Sequence, residues 1–205
     1  MDIAEGTSQS CLQLYKKSDP AQSGPTHHPN IFCGSCKAQV GFFNIHSRSV
    51  SIYKWRARCD AISTPSTAAP ELSHCLSAAL IAAASRTGSS KLLLTELGKT
   101  LASNGSVGHN EADILHLWIL NNNIIYTSTA QKSPTVAIKL LYKSVDAQQA
   151  ERLLQPITSD VQELGLPRDE IQTTAELLVR SSAMLPLKER SFKNWNVGLL
   201  AKYPL

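Results

Sequence analysis

Hydrophobic and polar positions alternate most regularly over residues 136–142, where Val136, Ile138, Leu140 and Tyr142 share one side and Ala137, Lys139 and Leu141 the other. A period of two is what a strand with one buried face produces. Residues 114–120 are almost continuously apolar, which suits a buried central strand, although a short helix has the same pattern at this length. Asn121-Asn122-Asn123 then reads as a turn, with 124–127 leaving it as another strand, and 91–96 reads as a short strand. Nearer the N-terminus, 39–43 predicts a strand and 44–49 its turn. A second strand follows over 50–59, with Tyr53, Trp55, Ala57 and Cys59 on one face and Lys54, Arg56 and Arg58 on the other.

The period changes to 3.6 in three places. Residues 71–84 are rich in Ala and Leu and stop at Thr87-Gly88, which predicts a helix. From Asp146 onward, Ala150, Leu153, Leu154, Ile157, Val161 and Leu164 fall on one helical face, with Pro156 placed to kink it and Gly165 and Pro167 to stop it. A further helix carries Ile171, Ala175, Leu178 and Ser182 and ends before Pro186, and 195–203 reads as a last strand or a segment packed on the core. The pattern predicts an α+β fold, an antiparallel-rich sheet with packed helices and an N-terminal β-hairpin that carries a Cys-x-x-Cys knuckle. Residues 1–30 read as a disordered tail rich in Ser, Pro, Gly, Gln and His. The hairpin occupies 31–60, a Ser/Thr/Pro/Ala linker 61–70, and the α+β domain 71–205; 98–110 reads as a polar loop.

Composition narrows the function classes. The chain has 205 residues, 42% hydrophobic and 18% charged, in the ordinary range for a globular domain with room for an appendage. Twenty basic against 16 acidic residues give a net charge of +4. The cations are scattered without interleaved aromatics, so direct nucleic-acid binding is not expected. No stretch approaches the length of a membrane span. The N-terminus has early acids and no apolar core, so a secretory signal is not expected there. Five cysteines, an odd number, do not suggest a disulfide framework. The expected location is therefore the cytoplasm and nucleus.

One motif carries local chemistry. Cys33-Gly-Ser-Cys36 spaces two thiols so that both can bind one zinc ion in a knuckle. A tetrahedral site needs two more ligands, for which His27, His28, His46, Cys59 and Cys75 are the candidates. The other reading is a pair of ordinary thiols; a redox pair would have to open a helix, and this one leads into a strand. His116, inside its apolar run, reads as a satisfied core or edge histidine rather than a base. His74 and Cys75 are adjacent on a helix and do not face each other. No phosphate loop, nucleophile elbow or HExxH helix is present.

Three stretches carry a resemblance: FCGSCKAQVGFFNIHSRSVSIYKWRARC, LHLWILNNNIIYTST followed by AIKLLYKSV, and the ending LPLKERSFKNWNVGLLAKYP. In order and spacing the chain resembles the HECT-like ubiquitin-conjugating-enzyme-binding family, over roughly residues 31 to 204. The most specific part is Arg190, Phe192, Trp195, Val197, Gly198, Leu199 and Leu200. The resemblance implies a ubiquitin-protein-ligase-type adaptor that binds a ubiquitin-conjugating enzyme and a protein substrate. A second implied role is that of a noncatalytic partner in mRNA 3′-end cleavage and polyadenylation. It also implies that the family's N-terminal half is not represented here. A HECT ligase forms its thioester on a cysteine near its C-terminus, and here no cysteine follows Cys75, so that mechanism is not expected. Within the signature, Trp195, Val197 and Leu199 would bury together on one face of a strand, with Phe192 and Leu200 serving adjoining helices and Gly198 marking close backbone approach. Trp195 has a competing reading as an exposed anchor for the conjugating enzyme.

Overall fold

The structure, a computed structural model, describes residues 12–14, 29–57, 69–97, 114–128, 131–155 and 160–203. The chain divides at Ala69/Pro70 into two compact units.

The first unit is a four-stranded antiparallel sheet in chain order: β1 (Leu12–Leu14), β2 (Asn30–Cys33), β3 (Gln39–Asn44) and β4 (Ser49–Ile52). Part of the expected tail is thus ordered, because β1 hydrogen-bonds along β2 with Leu12 opposite Cys33. The remainder of residues 1–28 lies outside the described residues. The turn between β3 and β4 is shaped by Asn44, whose Oδ1 accepts from the N–H groups of His46 at 3.0 Å and Ser47 at 3.2 Å. Gly41 lies opposite Ile52, and a Cβ there would come within 2.1 Å of the Ser51 carbonyl oxygen, so this pair of strands requires glycine.

The strand expected to run to Cys59 ends at Ile52 instead. A short 3₁₀ turn, Lys54–Arg56, follows it. Tyr53 and Trp55 stack with ring centroids 4.9 Å apart, and the Arg56 Nη1 donates to the Gln39 carbonyl at 3.0 Å. These contacts fold the chain back over the hairpin, and an extended strand would forgo both. Cys59 and most of the expected linker lie outside the described residues.

The second unit is built on a six-stranded sheet of β5 (Lys91–Glu96), β6 (Ile114–Ser128), β7 (Gln131–Val145), β8 (Val161–Leu166), β9 (Ser191–Phe192) and β10 (Trp195–Ala201). The strand order is β8-β5-β6-β7-β10-β9, and every pair is antiparallel except β5 with β8. The helices are α1 (Leu72–Thr87), α2 (Ala147–Leu153) and α3 (Arg168–Ser182). The expected α+β class and antiparallel-rich sheet are found.

Three expectations need correction here. Asn121-Asn122-Asn123 is no turn: β6 runs through it, and the pairing with β7 slips at Asn121 and again before Ile124. These bulges let exposed polar residues ride on one long hairpin. The helix expected from Asp146 to Leu164 ends at Leu153. Asp146 caps it, its Oδ1 accepting from the Gln149 N–H at 2.7 Å. Pro156 cannot continue the helical ladder, and Val161 and Leu164 belong to β8, paired in parallel with Lys91 and Leu94. Gly165 is no helix stop but sits in β8, where a Cβ would come within 2.8 Å of the Leu97 side chain.

The helix α1 ends as the sequence predicts, with Gly88 in the left-handed conformation at φ 74°. Leu76, Leu80, Ile171 and Leu178 bury the helix faces, and Leu92, Leu94, Leu117, Ile138, Leu140 and Leu200 are nearly inaccessible in the sheet. Gly198 admits α3 to the sheet: a Cβ there would lie 2.9 Å from Leu178 Cδ2 and 3.2 Å from Tyr142 Cε1. Ser181 of α3 accepts from the Leu199 N–H at 2.9 Å, tying the helix to β10.

Candidate functional site

The Cys-x-x-Cys turn connects β2 to β3. The Cys33 N–H donates to the Ala38 carbonyl at 2.9 Å, and the Lys37 N–H returns to the Cys33 carbonyl at 3.0 Å. Lys37 takes a left-handed φ of 59° to close the turn. The backbone N–H groups of Cys36 and Ser35, together with the Cys36 side chain, hold the Cys33 thiol below its usual pKa. Both cysteines are free thiols, Cys33 partly covered and Cys36 exposed. Amides aimed at a sulfur favour its thiolate, the form that binds metal, so the two residues suit two corners of a zinc site. Among the described residues no group of three or more His, Cys, Asp and Glu side chains gathers to complete one. His46 lies in the exposed β3–β4 turn. Cys75 belongs to the other unit, and His27, His28 and Cys59 lie outside the described residues.

The C-terminal signature is divided between core and surface. Val197, Leu199 and Leu200 are buried, while Trp195 is half-buried. Phe192 is 53% exposed and serves no helix, because it lies on β9 at the sheet edge, opposite Trp195. Arg190 organises the approach to this edge: its Nε donates to the Leu185 carbonyl at 2.8 Å and its Nη2 to the Ala183 carbonyl at 2.7 Å. Those carbonyls follow α3, where a cation is favoured. On the α3 side of the sheet a cleft of about 520 Å³ runs between the helix and Leu115 and Ser144, bordered by Ala175, Glu176, Val179 and Arg180. Val179 is 59% exposed on its wall.

The other face of the sheet carries a cluster that the sequence reading did not assemble. Register places His116 of β6 opposite Lys143 of β7, and Trp118 opposite Lys91 of β5. The Trp195 ring meets His116 edge-on at 4.7 Å and Trp118 at 6.0 Å. Lys143 Nζ stands 4.5 Å over the Trp195 ring, and Lys91 Nζ 5.4 Å over Trp118. Lys91 is also paired with Asp160 at 2.7 Å, which holds that carboxylate below its usual pKa.

His116 is buried as expected but not satisfied. It is 3% exposed, and neither ring nitrogen has a hydrogen-bond partner. Burial, aided by Lys143 and Lys91 and opposed by Asp160, pulls its pKa down to about 4, so the ring is neutral at physiological pH. Period-two alternation of His116 with Trp118 could have flagged the face; Lys91, Lys143 and Asp160 come from other strands and could not be associated with it along the chain. His74 packs its ring edge-on against Tyr203 at 5.4 Å.

A family model described as HECT-like ubiquitin-conjugating enzyme (E2)-binding matches residues 4–197. The match begins well before residue 31, where the resemblance was expected to start, and takes in the segment that supplies β1. No curated protein and no solved structure matches the chain.

Proposed function

This chain belongs to the HECT-like ubiquitin-conjugating enzyme (E2)-binding family, and from that premise we propose that it is a ubiquitin-ligase-type adaptor, holding a conjugating enzyme and promoting transfer of ubiquitin to a protein substrate. The observation that carries this reading is the family match across nearly the whole chain. The adaptor reading uses no thioester on Cys75, which is partly covered on α1. The conjugating enzyme docks along the α3 cleft, where exposed Val179 supplies an apolar anchor and Arg180 a polar one. Cys33 and Cys36 would supply two of the four ligands of a structural zinc site, and the protein works in the cytoplasm and nucleus.

The test is capture of purified conjugating enzymes on the immobilised full chain, followed by discharge of a ubiquitin-charged enzyme onto lysine. Binding and faster discharge are expected, weakened by Val179→Asp with the melting temperature unchanged. Failure to capture any conjugating enzyme refutes the reading. Loss of discharge in Cys75→Ser or Cys59→Ser, with binding intact, replaces the adaptor by a thiol mechanism.

A further inference from the structure

The cluster on the second sheet face has the composition of a ligand site rather than of a core. A buried imidazole with neither ring nitrogen hydrogen-bonded is uncommon, because such groups are normally satisfied. Its ring is covered edge-on by the half-buried Trp195 indole, which in turn meets the half-buried Trp118. The nearest cations differ in state. Lys91 is neutralised by Asp160, whereas Lys143 has no carboxylate partner among the described residues and is held by the Trp195 ring beside His116.

We propose that His116, Lys143, Trp118 and Trp195 form a binding site for a carboxylate carried on an apolar peptide segment. With the Trp195 ring turned aside, the neutral imidazole donates its N–H to one carboxylate oxygen, and the Lys143 ammonium, leaving the indole face, pairs with the carboxylate. The indoles cover the apolar residues on either side, as aromatic anchors do at peptide interfaces. A phosphate group fits less well, since the site offers one mobile cation and no guanidinium fork or helix N-terminus. This inference stands on the geometry of the sheet face and does not depend on the conjugating-enzyme reading.

The experiment is a titration of the full chain, followed by the indole N–H and imidazole nitrogen resonances of Trp118, Trp195 and His116. The probes are an acetylated, amidated Leu-Glu-Leu peptide, its Leu-Gln-Leu counterpart, an acetylated Leu-Leu peptide with a free C-terminus, and inorganic phosphate. A saturable shift with the acidic peptides is expected, at about millimolar affinity for a single small contact. The two acidic peptides separate a side-chain carboxylate from a chain terminus. Lys143→Gln and His116→Leu should each weaken binding at least about tenfold, with melting curves establishing that both fold. Equal shifts with the neutral peptide, tighter binding of phosphate, an unaltered titration in Lys143→Gln, or no saturable shift overturns the site.

Discussion

Replacing His116 with leucine should change how stability depends on pH more than stability itself. In the folded chain His116 is 3% exposed with neither ring nitrogen bonded, and its pKa is lowered from 6.5 to about 4, first by burial and then by Lys143 and Lys91. A base whose folded pKa is depressed takes its proton preferentially in the unfolded chain. Its neutral form therefore supports the fold fully above 6.5, and that support is lost as pH falls from 6.5 toward about 4 and is constant below. The whole interval corresponds to about 3 kcal/mol, of which about 2 kcal/mol is lost between about pH 7 and about pH 5.

Leucine abolishes that slope. At neutral pH it also removes an unbonded buried donor and acceptor, a gain of about 1–3 kcal/mol, against an aromatic contact with Trp195 worth about 0.5–1.5 kcal/mol. Urea unfolding of both proteins in carboxylate-free buffer provides the assay. The variant should match or exceed the wild type near neutrality and pull further ahead in acid. Asp160, held low mainly by its hydrogen bond from Lys91, weakens both proteins only at more acid pH, so above about pH 5 the difference between them reports on His116. Parallel losses in the two proteins would show that the imidazole is solvated or protonated in the fold, and the reasoning would fail.

Gly198→Ala places a methyl group 2.9 Å from Leu178 Cδ2 and should cost about 1–3 kcal/mol in thermal or urea unfolding; an unchanged midpoint would mean that α3 shifts without penalty. Trp195→Ala should cost about 2 kcal/mol, less than the 3–5 kcal/mol typical of a fully buried indole, because the ring is only partly buried. A loss of conjugating-enzyme capture without any change in stability would move the docking surface from α3 to this face. Elemental analysis of the purified chain should find zinc that is absent from the Cys33→Ser and Cys36→Ser variants; equal metal content in all three would remove the knuckle from the site.

What the sequence determined by itself is local. The Lys91–Glu96 strand and the apolar start of β6 follow from period and continuity, as does the alternation within β7. The α1 stop at Gly88 and the N-cap of α2 at Asp146 follow from residues that act on their own backbone neighbours. The cysteine turn was legible for the same reason, as its spacing is a property of four consecutive residues. Where the reading failed, a distant partner decided the outcome. Val161 and Leu164 have helical spacing, yet β5 offers them a parallel ladder beyond Pro156. The three asparagines favour a turn, yet β7 runs on beside them and absorbs them as bulges. Phe192 has the character of a core residue but occupies the outermost strand. His116 could be placed in a buried strand from its apolar neighbours, but not its want of hydrogen bonds, nor the indoles and ammonium groups around it. Those come from β5, β7 and β10, and only the strand order β8-β5-β6-β7-β10-β9 sets them side by side. Hydrogen-bond register and sheet order are long-range choices settled by total burial, and no window of the chain contains the residues that compete for them.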